Sequence, residues 1–177
     1  LRFSEGIYRD AYTLAFNIPD LFYNLLVGGA IYSTIAPYMS AQLAVGKEED
    51  GIKTVSKFIT VVCIVMVVCC TIGTVFSEPL YVIYGLFNDV KNPETIPLAA
   101  QASKLLFPQI FFIMLAALCN GILIAYRKFT ITSFAPVFYN ILVIVAIFVC
   151  GGNSLNRLMM TTGGILAASV FYFLFQY

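Results

Sequence analysis

Histidine is absent from this 177-residue chain, and charge is scarce: only 11% of residues are Asp, Glu, Lys or Arg. Without histidine there can be no imidazole base, no His-dependent catalytic triad and no His-ligated metal centre. A soluble domain of this length would carry roughly 25% charged residues to cover its surface. The net charge of +1 includes no basic patch able to neutralise phosphates along a nucleic acid, so no nucleic-acid partner is expected. The five cysteines (Cys63, Cys69, Cys70, Cys119 and Cys150) show no paired metal-ligand spacing and sit in apolar stretches, where they read as small hydrophobes.

What is abundant is apolar surface, 60% of residues, with a mean hydropathy of +0.91. Asp, Glu, Lys and Arg are missing from Leu21–Gly46, Phe58–Ser77, Leu105–Tyr126, Phe129–Asn156 and Leu158–Tyr177. About 20 apolar residues cross the hydrocarbon core as a helix. The runs are continuous rather than alternating, which excludes a transmembrane barrel, and helices then satisfy the backbone in lipid. The expected fold is all-α, a polytopic transmembrane bundle of about five spans at residues 9–42, 54–76, 98–126, 135–149 and 158–176. Ser77–Pro97, with three prolines, tyrosines and mixed charge, reads as an interfacial loop. The chain opens at Leu1 without an initiator Met and stops at Tyr177 inside an apolar run. It is therefore expected to be part of a longer protein whose remaining helices are its partners, along with membrane lipids. The loops after the first and third spans hold Lys47, Lys53, Lys57, Arg127 and Lys128, against Lys91, Lys104 and Arg157 at the other side. This bias places the Lys47 and Arg127 loops in the cytoplasm.

Polar residues inside spans need partners or water. In the first element Asp10, Thr13, Asn17, Asp20, Asn24 and Gly28 are spaced three or four apart, so they share one helical face. Such a stripe reads as the wall of a polar interior. The competing readings are hydrogen-bonded glue between helices and, for Asp10, a helix N-cap. Gln109, Ala116, Asn120 and Arg127 form a fainter stripe in the third span, with Asn120 deep and Arg127 a cytoplasmic anchor. Asn140 reads as a helix-to-helix hydrogen bond. Kinks or helix breaks are expected at Pro19, Gly28, Gly29 and Pro108. Gly163, Gly164, Ala167 and Ala168 give small-xxx-small pairs for close packing. Broken helices around a polar midplane are a transporter pattern.

The stretch Asp10–Ser40 (DAYTLAFNIPDLFYNLLVGGAIYSTIAPYMS) and the stretch Phe107–Asn140, with FPQI, NGIL, RKF and SFAPVFYN, resemble the MurJ/MviN family of lipid II flippases. The resemblance covers essentially the whole chain. It implies that the five spans are helices two to six of fourteen, in a MATE-like half-bundle, with LRFSEG ending the first helix. It further implies a multi-pass protein of the bacterial cytoplasmic membrane that flips the lipid-linked peptidoglycan precursor by alternating access. No cofactor is implied beyond coupling to membrane potential or a cation gradient. Asp10, Pro19, Asp20, Gly29, Ala30, Pro108, Pro136 and Asn140 match the family pattern. Two departures stand out. Tyr23-Asn24 occupy the place of an arginine pair, and Gly28 that of an acidic residue. A flippase or exporter of another amphiphile, a membrane enzyme and a non-transporting fragment are the alternatives. The enzyme is disfavoured because no second motif joins Asp10 and Asp20.

Overall fold

The computed structural model describes residues 6–26, 30–88, 90 and 92–177. Every element among them is helical: α1 (Gly6–Leu26), α2 (Ala30–Ala44), α3 (Glu48–Val75), α4 (Ser77–Phe87), α5 (Thr95–Ala125), α6 (Phe129–Cys150) and α7 (Leu155–Gln176). Helices α3, α5, α6 and α7 are long and apolar enough to cross a membrane. The expected first span corresponds to α1 and α2 and is not among those four. Arg9, Asp10, Asn17, Asp20 and Asn24 dilute the hydropathy of α1, which is about 32 Å long, and α2 has only 15 residues. The chain is a polytopic helical membrane bundle.

Helix α5 is the central post, packed against every other helix but most extensively against α7 and α1. Its apolar and small residues Ala99, Ala102, Leu106, Phe107, Ile110, Met114 and Leu118 are all buried. By contrast α3 and α6 expose Val61, Ile64, Val68, Phe134, Ile141 and Phe148. Lipid tails, or helices outside this chain, are the natural cover for those faces. Close approach between helices depends on small residues. A Cβ on Gly73 would fall 2.2 Å from the Phe107 ring, and one on Gly164 would fall 2.8 Å from the Cβ of Ala146. The latter shows α6 and α7 packed through the small residues of α7.

Several serine and threonine hydroxyls within the bundle bond to their own helix. Thr60, Thr71, Thr161 and Thr162 donate to carbonyls one turn back, and Ser103 and Ser169 do so three residues back. Two turns at one end share a geometry. After α2, Lys47 N–H donates to Gln42 O and Gly46 N–H to Leu43 O, with Gly46 at φ 72°. After α5, Lys128 N–H donates to Leu123 O and Arg127 N–H to Ile124 O, with Arg127 at φ 58°. Both are helix stops through a left-handed residue, a position normally given to glycine. Tyr126 at this end also donates its hydroxyl to Glu48 Oε1, tying α5 to the start of α3.

Several expectations are corrected. Ser77–Pro97 is not a loop throughout, since Ser77–Phe87 forms α4; Pro79 is tolerated because it falls in the first turn, where its missing N–H has no helical partner anyway. Helix α3 begins at Glu48, so its polar first turns precede the expected span from residue 54; Glu48, Glu49 and Asp50 favour a helix N-terminus. The helices carrying the next two spans begin ahead of the expected bounds, α5 at Thr95 and α6 at Phe129. Pro19 and Pro108 do not break their helices: α1 and α5 run through them, each losing a single ladder hydrogen bond. The expected break at Gly28 and Gly29 lies outside the described residues.

Candidate functional site

The stripe on α1 opens into a cleft of about 580 Å³. Arg9, Asp10, Thr13, Leu14 and Asn17 form one wall; Tyr84 and Asn88 at the end of α4, with Val90, Asn92 and Thr95, form the other. The 3.6-residue period of α1 puts Asp10, Thr13 and Asn17 on the cleft side, while Ala11, Ala15 and Ile18 are buried behind them. The cleft lies at the end of the bundle where α5 begins, opposite the Lys47 and Arg127 turns.

Most polar groups here are neutral and can exchange partners. Asn17 Nδ2 donates to the Tyr84 hydroxyl at 3.0 Å, the one direct polar bridge among the described residues from stripe to α4 side chain. Thr13 Oγ1 donates to Arg9 O at 3.0 Å, Asn88 Nδ2 to Tyr84 O at 3.0 Å, and Thr95 Oγ1 to Asn92 O at 2.6 Å. Asp10 is not an N-cap, because α1 starts four residues earlier at Gly6. Its carboxylate lies 3.5 Å from Arg9 Nε, and both side chains are well exposed, so this ion pair is weak.

The structure therefore brings Asp10 and Asn17 together with Thr13. Asp20 and Asn24 continue the stripe and are exposed, but they do not line the cleft. Asn120 is not brought to it. It is 6% exposed within the bundle, 25 residues past Thr95 on α5 and hence roughly 37 Å further along the helix. Gln109 on the same α5 face is also buried and donates from Nε2 to the Tyr139 hydroxyl at 3.0 Å. That stripe faces packed protein, so helix-to-helix contact, rather than cavity lining, describes it. Asn140 is exposed on α6 and makes no hydrogen bond to a neighbouring helix among the described residues.

Tyr84, Asn88, Asn92 and Thr95 were missed by the sequence reading because their segment looked like an interfacial loop. The detectable signal was Ser77-Glu78-Pro79, a helix start, followed by Tyr81 and Tyr84 three residues apart on one face.

Comparison with known proteins places this architecture. The family model "Lipid II flippase MurJ" matches residues 2–177. The chain is 27% identical over 182 residues to the probable lipid II flippase MurJ of Buchnera aphidicola subsp. Baizongia pistaciae, covering 98% of this chain and 34% of that protein. It is 30% identical over 146 residues to the lipid II flippase MurJ of Burkholderia cenocepacia, covering 81% and 28% respectively. For the probable lipid II flippase MurJ of Vibrio cholerae the identity is 25% over 177 residues, covering 97% and 34%. The chain thus spans about a third of the length of the curated relatives it matches. It belongs to the MurJ family of lipid II flippases.

Proposed function

We propose that the chain forms part of a flippase that carries lipid II, the lipid-linked peptidoglycan precursor, across the bacterial cytoplasmic membrane, and that the α1–α4 cleft is one wall of the passage. The observation that carries this is the α1 stripe: within a family of lipid II flippases, it faces open space instead of being sealed by neighbouring helices. Amides and hydroxyls of Thr13, Asn17, Asn88 and Asn92 suit the hydroxyls of a sugar or the amides of a peptide. Asp10, with Arg9 beside it, adds one acceptor of fixed charge. Such groups hold a polar headgroup by exchangeable hydrogen bonds, and no bond in the substrate is made or broken.

The end bearing Lys47, Lys53, Lys57, Arg127 and Lys128 would face the cytoplasm, so the cleft would open on the outer side. Movement would follow membrane potential or a cation gradient without an organic cofactor, with the helices outside this chain closing the opposite wall. A second reading, flipping of another amphiphile, is favoured by Tyr23-Asn24 standing where the family pattern has an arginine pair.

The test is growth of a flippase-depleted bacterium carrying the full-length protein. Asp10→Leu, Thr13→Val and Asn17→Leu, all on the cleft wall, should each abolish rescue while the protein still reaches the membrane. Full growth with all three replaced would refute the passage wall. Uptake of labelled lipid II into vesicles, set against other lipid-linked glycans, separates the two substrate readings.

A further inference from the structure

Pro19 leaves α1 with a defect that the helix cannot repair from within. Proline has no N–H, so the carbonyl of Ala15, four residues earlier, loses its helical donor. In a membrane an unsatisfied carbonyl is expensive, since no water reaches it. The Tyr81 hydroxyl donates to this same carbonyl at 2.6 Å and shares its proton with Leu14 O at 3.2 Å. Tyr81 comes from α4, a separate helix, and is 0% exposed. One turn further along α4, the Tyr84 hydroxyl accepts from Asn17 Nδ2 at 3.0 Å. Helix α4 is also tied to α5, where Lys104 Nζ lies 2.9 Å from Glu78 Oε1.

We propose that α4 is a clasp on α1: Tyr81 is a positioning residue that supplies the donor Pro19 removes, and with Tyr84 it holds Asp10, Thr13 and Asn17 toward the cleft. Two physical points distinguish this from ordinary packing. A tyrosine serving only to fill space would not need its hydroxyl, and would be indifferent to whether residue 19 carries an N–H. A hydroxyl that substitutes for that N–H becomes dispensable once the N–H returns. The hydrogen-bond coupling is independent of any substrate, whereas its positioning role rests on the transport reading above.

The experiment is a double-mutant cycle in the full-length protein, purified and followed by circular dichroism on heating. Tyr81→Phe keeps the ring and should lower the unfolding midpoint of the full-length protein by roughly 1–3 °C. In a Pro19→Ala background, the backbone N–H restored at that position can reach Ala15 O, and the same Tyr81→Phe change should cost less than half as much. An equal loss in both backgrounds would overturn the clasp. Tyr81→Phe should also slow translocation of a labelled lipid-linked glycan several-fold at unchanged membrane levels, and wild-type speed would overturn the positioning role. If the unmutated protein moved no such lipid while the heating data still showed coupling, only the transport reading would fall.

Discussion

Gly73 on α3 is buried against the ring of Phe107, the fully buried aromatic one residue before Pro108 on α5. A Cβ added at Gly73 would stand 2.2, 2.4 and 2.6 Å from three ring carbons, whereas ordinary contact begins at 3.4 Å. The ring would have to retreat by at least 3.4 − 2.2 = 1.2 Å. It has little room, because on α1 the Phe22 ring meets it edge-on with centroids 5.8 Å apart. Gly73→Val therefore overpacks the α1–α3–α5 junction, at a cost of about 1–3 kcal/mol. The better helix propensity of valine returns only about 0.3 kcal/mol. We expect a net loss of about 2 kcal/mol, read as a lower unfolding midpoint of the full-length protein. Phe107→Leu removes the aromatic carbons that collide, so in that background Gly73→Val should lose at least half of its cost. A midpoint that rises with Gly73→Val, or a cost undiminished by Phe107→Leu, would refute the claim that this glycine exists to seat the ring.

Three further outcomes follow from local geometry. Arg127→Gly should stabilise the α5–α6 turn by about 0.5–1 kcal/mol, because φ 58° disfavours a side chain; a lower unfolding midpoint would contradict this. The hydrogen bond to Glu48, then desolvation, and then the Glu48 charge raise the Tyr126 phenol above its ordinary value of 10.0. Its stabilising contact is therefore complete below about pH 10 and lost as pH climbs through the raised value; Tyr126→Phe should erase that alkaline loss in a pH series of unfolding midpoints. Gly164→Leu should force α6 from α7, since even a Cβ would sit 2.8 Å from that of Ala146, at a cost of about 2–3 kcal/mol; Ala146→Gly should restore part of it in the same unfolding assay.

The four apolar spans were legible because continuous hydrophobicity over some 20 residues has one solution in lipid. The α1 stripe was legible too, since the spacing of Asp10, Thr13 and Asn17 encodes a helical face regardless of what packs on it. Its opposite wall was not. Whether Ser77–Phe87 folds as a helix depends on Tyr81 finding the Ala15 carbonyl and Glu78 finding Lys104, both tertiary events. The fate of Asn120 was hidden for a related reason. Periodicity says that Gln109, Ala116 and Asn120 share a face, but only the arrangement of helices decides whether that face meets water or protein. The prolines misled in the opposite direction, because losing one ladder bond at Pro108 is small against the burial of α5 along its whole length.

The distribution of charge over the bundle bears on how the proposed passage would work. Among the described residues Arg9 is the single cation lining the cleft, and it already sits beside Asp10. The cations Lys47, Lys53, Lys57, Arg127 and Lys128 collect at the far end. A pyrophosphate entering the cleft would thus find no cation cluster among the described residues, and its counter-charges would have to come from helices outside the chain. A wall of amides and hydroxyls has a different virtue. Each of its hydrogen bonds to a sugar or peptide replaces one to water, for a net gain of about 1 kcal/mol, so contacts break and re-form readily. Charge pairing on both walls would hold the headgroup; a neutral wall opposite a charged one lets it turn and leave. Placing an arginine at Asn17, on the cleft wall, tests this division. Tighter retention with slower release is expected of Asn17→Arg, and faster turnover would show that the neutral wall is no aid to transport.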